Sequence, residues 1–225
     1  VPLFKSKIPS LNGRCIKIFK SELGESEIAD RLRALYPLSN QCEIAYKPTL
    51  SDVEITLSAP KSEEISFNNL VAEVKVRIEG SILAEDNETF IGNLIRKLEE
   101  KSSTVSVAES CTGGLIGHLI TSEPGASRVF LEGVICYSNT SKNKRLNIPM
   151  DIISQYGAVS DKVAHYLAET IRDQSGSTFS LAVTGVAGPD GGSKDKPVGT
   201  IYAALGTPNG VEVFDFFLAG ERRTI

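Results

Sequence analysis

The stretch Thr104-Val105-Ser106-Val107-Ala108-Glu109-Ser110-Cys111-Thr112-Gly113-Gly114 decides the fold of this 225-residue chain. Val105 and Val107 alternate with polar neighbours, the period-2 pattern of a half-buried strand. Leu115, Ile116, Leu119 and Ile120 then recur at helical spacing, which predicts a helix from near Thr112. A serine, a threonine and two glycines therefore fall at a strand-to-helix turn. The first N–H groups of a helix lack intrahelical partners and sit at the positive end of its dipole. A hydroxyl nucleophile placed there has anion-stabilising donors beside it, an arrangement suited to acyl transfer. Ser110 and Cys111 are the candidate nucleophiles at this turn. Thr112, Gly113 and Gly114 are candidate oxyanion and phosphate donors, because glycine lets a ligand approach the backbone closely.

Strand and helix alternate on both sides of this turn. Upstream, Phe90, Ile91, Leu94, Ile95 and Leu98 form one apolar helical face. Downstream, Ser160 is a good N-cap for a helix carrying Val163, Ala164, Leu167 and Ile171, with Gly176 as its terminator. Val198–Leu205 and Val211–Leu218 pair as a hairpin across Thr207-Pro208-Asn209-Gly210. The alternation predicts an α/β fold, a three-layer α/β/α domain with a mixed sheet over residues 87–225. Residues 1–86 read as a small α+β domain with an N-terminal lead-in. In it Arg14–Phe19, Gln41–Tyr46 and Asp52–Ser58 are strands, and Ile28, Leu32 and Leu35 share a helical face that Pro37 ends. A second helix is expected over Asn68–Ile78, although Val74, Val76 and Ile78 alternate.

Hydrophobic residues make up 41% of the chain and charged residues 23%, the profile of an ordinary globular protein. A formal net charge of −4 gives no basic footprint for nucleic acid. No apolar run approaches the ~20 residues of a membrane span, so no membrane partner is expected. Val1-Pro2-Leu3-Phe4-Lys5 lacks the apolar core of a signal peptide, and the missing initiator Met suggests a piece of a longer protein. Cys15, Cys42, Cys111 and Cys136 show no CxxC spacing. They read as reduced thiols of a cytoplasmic protein rather than metal ligands or a disulfide framework.

Amide hydrolysis needs a nucleophile, a base and oxyanion donors. The two histidines suit the base role poorly: His118 falls within the apolar helix after the turn, and His165 is mid-helix beside Tyr166. Lysine is the next candidate, because burial depresses its pKa. Thr184-Gly185 ends a buried strand and the loop Gly188-Pro189-Asp190-Gly191-Gly192 follows. That loop is either a plain turn or the wall of a ligand crevice at the strand's C-terminal end.

Taken in order, Ser110–Gly114, Pro124-Gly125-Ala126-Ser127, Gly133-Val134-Ile135-Cys136-Tyr137-Ser138-Asn139 with Lys142, Gly157-Ala158-Val159-Ser160, and Thr184–Gly192 with Lys196-Pro197-Val198-Gly199-Thr200 resemble the CinA-like C-terminal family. That family contains the nicotinamide mononucleotide deamidases, and the resemblance covers roughly residues 88–225. It implies an amidohydrolase that converts nicotinamide mononucleotide to nicotinate mononucleotide and ammonia. No metal-ligand cluster appears in the sequence, so no cofactor or metal is expected for this step. In the family's YSNxxK pattern the tyrosine and lysine join the serine of ESCTGG. Carried over, the catalytic residues are Ser110, Tyr137 and Lys142. Lys142 is then the general base or the electrostatic activator of Ser110, and Tyr137 relays the proton or holds the lysine. The competing reading of Lys142 is a solvated lysine near Lys144 and Arg145.

Substrate binding falls by the same resemblance to Thr184, Gly185, Gly188 and Arg222, the last from Gly220-Glu221-Arg222, with a guanidinium suited to clamping a phosphate. Glu109 either anchors Lys142 or a substrate hydroxyl, or forms an ion pair near the turn. The upstream β-α-β-β-α order and Gly24-Glu25-Ser26 resemble the middle domain of longer CinA-like proteins. A small-molecule nucleotide substrate and a homo-oligomer are expected. The alternative is a non-catalytic nucleotide-binding or interaction module.

Overall fold

The computed structural model describes residues 13–36, 41–49 and 52–222. The chain divides into two compact units between Asn93 and Leu94. In the first, β1 (Arg14–Ser21), β2 (Glu43–Pro48), β3 (Val53–Pro60) and β4 (Ile82–Glu85) form a sheet in the order β2-β3-β1-β4. Every pairing in it is antiparallel. With α1 (Glu25–Leu32) after β1 and α2 (Glu64–Arg77) after β3, this is the split βαβ arrangement of ferredoxin-like domains. Ile55, Leu57 and Ala59 point from β3 into a core shared with Phe19, Ile28, Leu32, Phe67, Leu70, Val74 and Ile78.

Three differences from the sequence reading have local causes. α2 starts four residues earlier than expected, because Phe67, Leu70 and Val74 keep helical spacing upstream of Asn68. The apparent Val74/Val76/Ile78 alternation is coincidental: Val74 and Ile78 are fully buried, whereas Val76 is 70% exposed. β4 went unread, being only four residues long. Pro37, the expected stop for α1, lies outside the described residues.

α3 (Phe90–Glu100) straddles the division. The second unit holds β5 (Val105–Glu109), α4 (Leu115–Thr121), β6 (Phe130–Ile135), α5 (Asn139–Leu146), α6 (Met150–Tyr156), α7 (Asp161–Ser175), β7 (Phe179–Gly185), β8 (Thr200–Thr207) and β9 (Gly210–Phe217). Its sheet runs β6-β5-β7-β8-β9, parallel from β6 to β7 and antiparallel from β7 to β9. The expected mixed sheet is therefore present.

Helices cover both faces of this sheet. Ala108, Ala182 and Ala204 are register neighbours on three strands, and all are fully buried. Their small side chains let α7 lie close, filling the layer with Val163, Ala164, Leu167, Ala168 and Ile171. On the other face α4 packs where Val107 and Glu109 project, with Gly117 against both side chains.

Ser160 caps α7 as expected: its side chain accepts the Val163 N–H at 3.3 Å. Gly176 ends the helix in the left-handed conformation, with φ 67°. Ser160→Ala is expected to lower unfolding stability by about 1 kcal/mol, read by denaturant titration. No change would mean that Gly157 and its neighbours hold the helix start without the cap.

Candidate active site

The site lies at the C-terminal ends of the parallel strands. β5 and β6 pair in parallel through Glu109 and Ile135, so the residues after each strand emerge side by side. One exit carries Ser110 and the other carries Cys136 and Tyr137. Ser138 then caps α5, its side chain accepting the Ser141 N–H at 3.1 Å. Lys142 is the fourth residue of that helix. Helical side chains lean toward the N-terminus, so the Lys142 stem runs back over the first turn to the strand end. This geometry explains the five-residue spacing between Tyr137 and Lys142.

Lys142 is 1% exposed and Ser110 is 7% exposed. Lys142 Nζ lies 2.8 Å from Ser110 Oγ, 2.9 Å from the Cys136 carbonyl and 3.1 Å from the Tyr137 carbonyl. Carbonyl oxygens only accept, so two N–H bonds of the lysine go to them. In the neutral amine the remaining lone pair then faces the Ser110 hydroxyl. Burial lowers the Lys142 pKa, favouring that neutral form. Lys142 is thus a buried partner of Ser110 and not a solvated surface lysine. The histidines are elsewhere: His118 is exposed on α4, and His165 lies half-buried on α7 with its ring edge-on to Tyr166.

Cys111 also faces the cleft. Burial is the leading influence on its thiol and raises the pKa, so little thiolate is present at neutral pH. Cys136 is buried beneath the lysine and its thiol is raised for the same reason.

The turn after β5 differs from the expectation in one important respect. α4 begins at Leu115 rather than near Thr112, because Gly113 and Gly114 adopt left-handed conformations with φ 63° and 102°. A side chain at Gly114 would also come within 2.7 Å of Ile135 Cδ1. The Glu109 carboxylate occupies the helix start. Its Oε2 accepts the N–H groups of Gly114 (2.9 Å) and Ile116 (3.1 Å), and Oε1 accepts that of Gly117 (2.8 Å). The Gly113 N–H goes to the Ser110 carbonyl at 3.2 Å.

Gly113 and Gly114 therefore have no N–H left for an oxyanion or a phosphate, and among the described residues Glu109 pairs with neither Lys142 nor another cation. These are corrections to the sequence reading: the buried Glu109 carboxylate, one residue before Ser110, already accepts the helix-end N–H groups that an external anion would use. Among the described residues, the Cys111 and Thr112 N–H groups make no main-chain hydrogen bond.

Tyr137 also differs. Its backbone carbonyl holds Lys142, but its phenol accepts a hydrogen bond from Arg222 Nη2 at 3.0 Å, and the side chain is 57% exposed. The phenol is accordingly turned to the cleft mouth and not to the lysine. Arg222 Nη1 donates to the Gly188 carbonyl at 3.0 Å, which ties the Gly188–Gly192 loop to the same mouth. Thr184 is buried and donates its hydroxyl to the Ala158 carbonyl at 2.9 Å, so it braces the wall. A Cβ on Gly185 would collide with Ile201 Cδ1 and crowd the Cys111 sulfur.

Ser110, Lys142, Tyr137, Thr184, Gly185 and Arg222 line one cleft of about 160 Å³. A recess of about 500 Å³ adjoins it, sharing Ala187 and Arg222 and walled by Pro189 and Val198. Sequence reasoning gave no role to Ser138, although a serine just before a helix is the ordinary signal for such a cap. The carbonyl of Cys136 carries no sequence signal at all. Among the described residues, no three His, Cys, Asp or Glu side chains gather as a metal site requires, and no helix is long and apolar enough to cross a membrane.

Comparison with known proteins agrees with this architecture. A CinA-like protein of Citrifermentans bemidjiense is 36% identical over 98% of this chain and 55% of its own length. One from Prochlorococcus marinus is 38% identical over 84% of this chain and 45% of its own. The chain thus spans about half the length of the curated relatives it matches. Among solved structures, the competence/damage inducible protein CihA of Agrobacterium tumefaciens superposes with a TM-score of 0.58 at 36% identity. That match covers 59% of this chain and 82% of that one. A CinA superfamily protein of Escherichia coli gives a TM-score of 0.58 at 27% identity, covering 60% and 78%. The CinA C-terminal domain family matches residues 87–225, and with the fold and motifs above this places the chain in the CinA family.

Proposed function

We propose that the unit carrying Ser110 is an amidohydrolase that releases ammonia from nicotinamide mononucleotide through a serine–lysine pair. The observation that carries this reading is the 2.8 Å approach of buried Lys142 Nζ to Ser110 Oγ. The neutral amine takes the hydroxyl proton as Oγ attacks the carboxamide carbon. The resulting oxyanion meets the Cys111 and Thr112 N–H groups, and the ammonium returns its proton to the departing nitrogen. Water, deprotonated by the same amine, then cleaves the acyl ester and restores Ser110. The catalytic module is taken to start at residue 87, where the family match begins, with residues 1–86 as a separate domain.

The choice of a mononucleotide rests on the family and on Arg222. Two of its five N–H donors go to Gly188 and Tyr137, and its side chain lines both the cleft and the adjoining recess. With a phosphate site no longer available at the helix start, Arg222 is the phosphate ligand. Tyr137 then holds the guanidinium in place instead of relaying a proton. A charge-assisted bond contributes about 1.5–3 kcal/mol, roughly one to two decades in kcat/KM. Nicotinamide riboside is therefore expected to react at least about tenfold less efficiently than the mononucleotide. Arg222→Ala should erase most of that difference. Equal efficiency on both substrates in the unsubstituted protein would contradict a phosphate site.

A further inference from the structure

Glu109 is a buried carboxylate, 1% exposed, that the proposed chemistry does not use. Its side chain gathers three N–H groups of the α4 start. Its backbone acts in the opposite direction. The Glu109 carbonyl accepts the Cys136 N–H at 2.8 Å, and the Cys136 carbonyl in turn holds Lys142 Nζ at 2.9 Å. The Ser110 N–H, next along the chain, is pinned to the Val183 carbonyl at 3.0 Å. One residue therefore links the turn that carries the nucleophile to the cradle that carries the base.

We propose that Glu109 is a positioning residue for acyl transfer. Its carboxylate fixes the 110–114 turn so that Ser110 Oγ stays on Lys142 Nζ and the Cys111 and Thr112 N–H groups converge on the oxyanion. By neutralising the helix end, it also confines anion stabilisation to those two donors. A buried acceptor for three N–H groups cannot be removed without leaving donors unpaired, and the turn would move to resolve them. The reaction is that of the preceding reading; the positioning rests on the contacts alone.

The test uses a small fluorophosphonate, which phosphonylates an activated serine whatever the natural amide is. Glu109→Gln keeps the size but sets an NH2 against a backbone N–H. The maximal rate of Ser110 labelling is expected to fall at least about tenfold, as when oxyanion donors are misaligned. Half-saturating probe concentration and the pH midpoint of labelling should stay unchanged, because Glu109 touches neither the cleft mouth nor Lys142. Glu109→Asp, which retains the charge but is one methylene short, should show the same pattern and serves if the glutamine variant does not fold. Labelling within about twofold of the unsubstituted protein in either folded variant would overturn the proposal. A shifted pH midpoint would overturn it as well, by making Glu109 a partner of the base. An unsubstituted protein that labels at Ser110 but releases no ammonia from nicotinamide mononucleotide contradicts the substrate reading and leaves the Glu109 test intact.

Discussion

Lys142→Met is expected to lower kcat/KM for amide hydrolysis by at least about 10³-fold while the protein still folds, since general-base assistance contributes about 10²–10⁴. Methionine keeps an unbranched stem of similar length, so the buried channel stays filled while the amine is lost. The unsubstituted protein should show a matching pH dependence. Burial lowers the Lys142 pKa from its ordinary 10.5, and the reactive form is the neutral amine. Activity therefore rises with pH through the lowered value and falls away on acidification, as Lys142 takes up a proton and its lone pair is lost. The comparison of kcat/KM against pH for both proteins checks this. A Lys142→Met variant retaining a tenth or more of the activity, with the acid limb intact, would assign the base to another group.

Ser110→Ala is expected to cost at least about 10³-fold in kcat, the scale on which serine hydrolases respond to loss of the nucleophile. Little packing is lost, so thermal stability should change only slightly. Cys111→Ala is the paired control. Its thiol lines the same cleft, but its raised pKa leaves little thiolate, and activity within about threefold of the unsubstituted protein is expected. Steady-state ammonia release from both variants reads the difference. The reverse ranking would move the nucleophile to sulfur.

Local pattern made much of the second unit legible, and it failed where contacts between distant segments decide. The strand after Thr104, the Ser160 cap and the 207–210 hairpin turn each depend on neighbours in sequence, and each is found. β5 is, however, buried on both faces and not half-buried as the Val105/Val107 alternation implies. Helices cover both sides of the sheet, and Ser106 and Glu109 find hydrogen-bond partners there. The Lys142–Ser110 contact joins residues 32 apart, and only the parallel pairing of β5 with β6 brings them together. Spacing alone could nominate a lysine but not this one; the motif resemblance supplied the position. The start of α4 was misplaced because the apolar spacing from Leu115 is blind to left-handed Gly113 and Gly114. Glu109 was misread because nothing in its local sequence says that both oxygens turn back onto the helix. Tyr137 and Arg222, 85 residues apart, were each nominated without any sign that they bond to one another.

The central claim is that Ser110, activated by neutral Lys142, forms an acyl ester during turnover. Rapid acid quenching of the protein with nicotinamide mononucleotide, followed by peptide mass analysis, tests it most directly. The predicted result is a nicotinate mononucleotide ester on Ser110, formed faster at higher pH and absent from Ser110→Ala. A thioester on Cys111, or ammonia release by Ser110→Ala at the unsubstituted rate, would contradict the account.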